Sequence, residues 1–123
     1  MTEPVTPADQ ITVKFTDGSE KNVFMSFGLL NCLSNLVGGL EQLPFIYSES
    51  SMREVLITSC LSDRSPDGKI PTAEQFDELS KNLSVAEAEL LLGWIEDHLA
   101  GFFIRSLQRL KVLAEKGSSL KST

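Results

Sequence analysis

Hydrophobic residues change their spacing once along this chain, near Phe27. Before that point they alternate. In ITVKF, Ile11, Val13 and Phe15 point one way, and Thr12 and Lys14 the other. That is the two-residue period of a half-buried strand. Thr16-Asp17-Gly18-Ser19 is a turn signal, with Gly18 able to take a positive φ. A second short strand is expected around Lys21 to Ser26, making a β-hairpin. A lone hairpin is marginal in water, so it must pack on helices or pair with another chain's edge. Residues 1–9 read as a disordered lead-in.

After Phe27 the spacing is helical. Leu29, Leu30, Leu33, Leu36 and Val37 share a face, and Gly38-Gly39 stops that helix. Leu40 to Tyr47, which contains Pro44, reads as a loop. SESSMREVLITSCL opens with serines and Glu49 as capping candidates. It continues with Met52, Val55, Leu56, Ser59 and Cys60 on one side. A polar loop, SDRSPDGKIPT, leads to a short helix over Ala73 to Leu83. Ser84 is then an N-cap, with Glu87 at the capping-box spacing. A long helix follows to about Lys116, past Gly93 and Gly101, each costing up to about 1 kcal/mol relative to alanine. Residues 117–123, GSSLKST, read as a flexible tail. The predicted fold is α+β, mainly α: an N-terminal hairpin, then three or four helices ending in a long one. The predicted globular domain spans residues 10–116.

On a wheel at about 100° per residue, Leu91, Leu92, Ile95, Leu99, Phe102, Phe103, Leu110 and Leu113 form one broad stripe, the natural core face. Leu90, Trp94, Ile104 and Val112 fall outside it. They are therefore the candidate protein-interaction residues. Surplus apolar surface on a small domain marks a partner or self-association face. The competing reading is that the hairpin and first two helices wrap this helix and bury both sides.

Charge and composition narrow the function classes. The chain is acidic, with a formal net charge of −6, and shows no basic patch of the kind nucleic-acid binding requires. No apolar run approaches the roughly 20 residues of a membrane span. The N-terminus, MTEPVTPADQ, lacks the basic-then-apolar order of a signal peptide. Cys32 and Cys60 lie in apolar helical contexts without Cys or His at ligand spacing, so buried thiols in a reducing compartment are expected. The one histidine, His98, shares a helix face with Trp94, not with Glu96 or Asp97. Nothing at three or four residues from it makes a nucleophile–base pair, so a structural histidine is expected and no catalytic residue is assigned.

One loop carries a second signal. In DRSPDGKIPTAE, Asp63, Ser65 and Asp67 occupy positions one, three and five of an EF-hand-like loop, with Gly68 at six and Glu74 at twelve. Lys69 would supply its carbonyl at position seven. Pro66 and Pro71 restrict the loop, and Pro71 offers no ligand at position nine. The alternative is a polar connection with an Asp-Gly turn. Calcium binding predicts that Ca²⁺ raises the melting temperature and that Glu74→Gln abolishes the rise.

The order of elements, from ITVKFTDGSE through the glycine pair and the DGKI turn to LSVAEAELLLGWIEDHLAGFFIRSLQRL, resembles the tail assembly chaperones of long-tailed bacteriophages. The resemblance spans about residues 10 to 114. Its most specific piece is W-x-x-x-H-x-x-x-F-F at Trp94, His98, Phe102 and Phe103. It implies a non-enzymatic helper in the cytoplasm of an infected bacterial host. Such proteins coat the aggregation-prone tape-measure protein until tail-tube subunits replace them, with self-association and no resident cofactor. A structural virion component, in the tail or at the head–tail joint, is the nearest alternative, followed by a calcium-binding module.

Overall fold

The computed structural model describes residues 7–62 and 73–121. Strands β1 (Gln10–Lys14) and β2 (Glu20–Phe24) form a two-stranded antiparallel sheet, with Val13 opposite Lys21 and Ile11 opposite Val23. The alternation works as expected: Val13 and Val23 are buried, and Ile11 and Phe15 pack against the same core. In the turn, Gly18 takes φ 91°. Asp17 accepts hydrogen bonds from the Ser19 hydroxyl and main-chain N–H, which lower its pKa below the usual carboxylate value. The hairpin is not left to stand alone. The Thr16 N–H donates to the Asn82 carbonyl at 2.7 Å, and the Asn82 side chain donates to Asp17 at 3.2 Å.

Helix α1 (Phe27–Val37) is capped by Ser26, whose hydroxyl accepts from the Leu29 N–H, and ends at Gly38 with φ 101°. The stretch expected to be a loop is instead compact. It forms a short 3₁₀ turn (Leu40–Gln42) and a one-turn helix α2 (Phe45–Ser48), with Pro44 as the residue before the helix. Leu43 and Ile46 are buried there, so apolar anchoring closes a segment whose proline signalled only a break. Helix α3 (Ser50–Leu61) follows Glu49, and no side chain caps it. All six residues from Leu56 to Leu61 are buried, because α1, α2, a further helix α4 (Ala73–Ser80) and the C-terminal helix surround it. The one-sided face expected for this helix is therefore corrected: its second half is central, with Thr58 satisfied by the Glu54 carbonyl.

Helix α5 (Val85–Lys121) is the longest element, at 37 residues or about 55 Å. Ser84 caps it by accepting from the Glu87 N–H at 3.2 Å. The Glu87 carboxylate reaches the Lys14 N–H at 3.5 Å, joining the helix start to β1. The helix continues to Lys121, five residues past the end expected near Lys116. Leu91, Ile95 and Leu99 are fully buried in the same core cluster as Leu33, Ile46 and Leu56. Each such side chain contributes roughly 1.5–3 kcal/mol. The fold is thus α+β, mainly α, as the period change at Phe27 predicts. No helix among the described residues is long and apolar enough to cross a membrane.

Candidate protein-interaction surface

The core stripe of α5 outruns the core. Leu91, Leu92, Ile95 and Leu99 are buried, and Phe102 and Phe103 are half-buried. Leu110 and Leu113, expected in the same core face, stand 61% and 59% exposed. Leu107, at the edge of the stripe, is also exposed. The reason is geometric: the small body ends near Phe103 and the helix runs on for a further 18 residues, roughly 27 Å.

The four residues expected to form the interaction ridge separate. Leu90 is 62% exposed and Val112 is exposed too, whereas Ile104 is half-buried. Trp94 is only 7% exposed, which corrects its assignment to an open ridge. The chain segment before β1 covers it. Trp94 donates from its indole Nε1 to the Ala8 carbonyl at 2.7 Å. Residues 7–9, expected to be part of a disordered lead-in, are held there; the Asp9 carbonyl also accepts from the Met25 N–H at 2.8 Å.

His98 shares that anchor. Its Nε2 lies 2.9 Å from the same Ala8 carbonyl, and its ring meets Trp94 edge-on with centroids 4.8 Å apart. A carbonyl only accepts, so Nε2 carries the proton. The histidine fastens the entering strand to α5. We expect His98→Gln to cost no more than about 1 kcal/mol, the net worth of one such hydrogen bond. Thermal melts of the variant check this, and a loss of activity in a fully folded variant would point instead to chemistry at His98.

On the opposite flank of α5, Tyr47 donates its hydroxyl to Glu96 at 3.0 Å. Loss of water around the hydroxyl, then the hydrogen bond to Glu96 and the charges of Glu96 and Asp97, push the Tyr47 pKa up to about 12. The unfolded chain loses this proton near pH 10 and the folded chain holds it longer. The stabilisation is therefore complete below about pH 10 and lost as pH rises toward 12. Tyr47→Phe should be less sensitive to alkali across that window, as denaturant melts at pH 9 and pH 11 would show.

The remaining candidate chemistry is sparse. Asp63, Ser65, Asp67 and Lys69 of the EF-hand-like loop lie outside the described residues. Glu74 lies in the first turn of α4 and is exposed. Among the described residues, no group of three or more His, Cys, Asp and Glu side chains is placed to hold a metal ion. Cys32 is half-buried, Cys60 is buried, and no disulfide joins them.

Charge divides the chain where the body ends. Residues 1–103 hold sixteen acidic and six basic side chains, and residues 104–123 hold five basic and one acidic. The projecting helix is thus a basic, leucine-bearing rod, which corrects the reading from net charge that the chain carries no basic patch. Sequence reasoning missed this surface because Leu110 and Leu113 sit in perfect phase with the core; only the position of the body's edge distinguishes them.

Neither a protein-family model, nor a curated protein, nor a solved structure matches the chain. The functional reading rests on the surface itself.

Proposed function

We propose that this chain is a non-enzymatic, protein-binding assembly factor that presents its C-terminal helix to a helical client. The observation that carries the reading is the leucine stripe that leaves the body at Phe103 and stays open at Leu110 and Leu113. An amphipathic helix with apolar anchors at such spacing is a recurring recognition element, read by a groove or by another helix. Basic residues Arg109 and Lys116 flank the stripe, which favours a client with acidic side chains beside its apolar face.

Within that class, the resemblance at Trp94, His98, Phe102 and Phe103 supports a tail assembly chaperone of a long-tailed phage, with the tape-measure protein as client. A tape-measure protein is long and helical, and its apolar seams need cover until the tail tube forms. The site of action would be the cytoplasm of the infected bacterium. The test is to follow the protein through assembly. It should co-purify with the tape-measure protein from infected cells before tails are complete, and be missing from purified particles. Retention in mature particles would make it a structural virion component instead.

A further inference from the structure

The charges of the projecting helix are gathered on one side. On a wheel at about 100° per residue, Arg105, Arg109 and Lys116 fall within about 40° of one another, beside Leu113. All three are exposed. The ion pair formed among the described residues, Lys81 with Glu78, lies elsewhere. Arg105 and Arg109, one turn apart, repel each other, a small cost that this chain leaves standing. A Cβ at Gly101 would come within 2.9 Å of Nη1 of Arg105. The glycine weakens the helix relative to alanine, and it leaves room for that guanidinium to lie back against α5. Among the described side chains, the opposite margin of the leucine stripe carries Lys111 with Glu115 one turn on, and these cancel. The stripe thus has one cationic margin and one neutral margin.

We infer that this ridge takes a row of carboxylates from one flank of the client helix, and so fixes the direction in which the client lies. The inference rests on the client-binding reading of the stripe. One-sided charge separates the occupants. A lipid surface meets both margins of an amphipathic helix alike and favours cations on each. A nucleic-acid backbone has no use for the leucines beside the ridge. An acidic flank next to an apolar seam matches ridge and stripe together. The direction follows from geometry. A helix laid apolar face down on the stripe turns one flank to the ridge when it runs parallel to α5, and the other flank when it runs antiparallel. With Leu110 and Leu113 as the first and fourth positions of a seven-residue unit, Arg109 and Lys116 both stand at the seventh. Seventh positions face the fifth positions of a parallel partner and the seventh positions of an antiparallel one. A client with acids on one flank alone is therefore held one way round.

Trp94, the chain's one tryptophan, can report that direction. It lies about 14 Å along the helix axis from Phe103 and about 40 Å from Lys121. The probes are three synthetic helical peptides of the rod's length with one leucine seam: glutamate at the fifth positions, glutamate at the seventh positions, and glutamine at both. Each is labelled at one end or the other with an acceptor of tryptophan fluorescence and titrated into the full chain. Both glutamate peptides should bind at least about tenfold more tightly than the glutamine peptide. The fifth-position peptide should quench Trp94 from its N-terminal label, and the seventh-position peptide from its C-terminal label. Arg109→Glu with Lys116→Glu, checked for helix content by circular dichroism, should remove the tenfold preference. Leu110→Asp with Leu113→Asp, the control for the stripe, should abolish binding of all three peptides. If it does, equal binding of the three by wild type, or the same labelled end near Trp94 for both glutamate peptides, would overturn the ridge inference and leave the stripe reading intact. Binding that survives the leucine control, or no binding by wild type, would sink the stripe reading and the inference with it.

Discussion

Trp94→Ala should destabilise the fold by about 3–5 kcal/mol, the range for emptying a buried aromatic site. In a domain of this size that is a fall in Tm on the order of 10 °C or more. Two losses combine. The indole is almost wholly buried within the core cluster, so its removal leaves a cavity. It also removes a hydrogen bond that ties Ala8, and through it the entry to β1, onto α5. Trp94→Phe separates the terms. It keeps most of the ring and loses the indole donor, and the Ala8 carbonyl still has His98, so the cost should fall to about 1–2 kcal/mol. Thermal melts of both variants decide. If Trp94→Ala melts with wild type, the indole is not core and the N-terminal segment is not held by it.

Replacing Leu110 and Leu113 together by aspartate should do the opposite. Both are well exposed and outside the body, so stability should change by no more than about 0.5 kcal/mol. Client binding should collapse. Burying a leucine side chain is worth roughly 1.5–3 kcal/mol, and a buried carboxylate in its place adds a desolvation penalty. The combined loss is at least about 4 kcal/mol, on the order of a thousandfold in affinity. Titration calorimetry against a purified client segment, beside melts of the double variant, reads both quantities. Binding within tenfold of wild type would move the client off this stripe.

Much of the fold could be read from the chain because local rules and burial agree there. The alternation of Ile11, Val13 and Phe15 marks the hairpin, and Ser84 with Glu87 marks the start of α5. Where they disagree, tertiary structure decides. Ile57 and Thr58 fall off the face of Met52, Val55, Leu56, Ser59 and Cys60, yet both are buried, because α3 is surrounded by its neighbours. Leu43 and Ile46 turn a proline-marked loop into ordered turns by filling the core from the side. Phe102, placed on the core stripe by its phase, is only half-buried at the body's edge, so its truncation should cost less than the 3–5 kcal/mol of a buried ring.

The candidate site was legible in kind but misplaced in detail. Excess apolar surface on the long helix is visible from Leu90, Ile104 and Val112. Helical phase then divides residues by direction, and assigns Trp94 outward and Leu110 and Leu113 inward. What phase omits is how far the body extends along the axis and where the N-terminal segment lies. Ala8 covers Trp94, and nothing in the spacing of either residue signals that pairing. The body ends near Phe103, so residues in core phase become surface.

The central claim is that the leucine stripe beyond Phe103 is the client-binding surface. Its most direct test is site-specific photo-crosslinking in the cells where the protein acts. A photoreactive residue replaces Leu110 in one chain and Asp77, exposed on α4, in another. Position 110 should give a discrete adduct whose partner maps to a helical segment of the tape-measure protein, and position 77 should give none. Equal labelling from both positions, or an adduct from position 77 alone, would contradict the account.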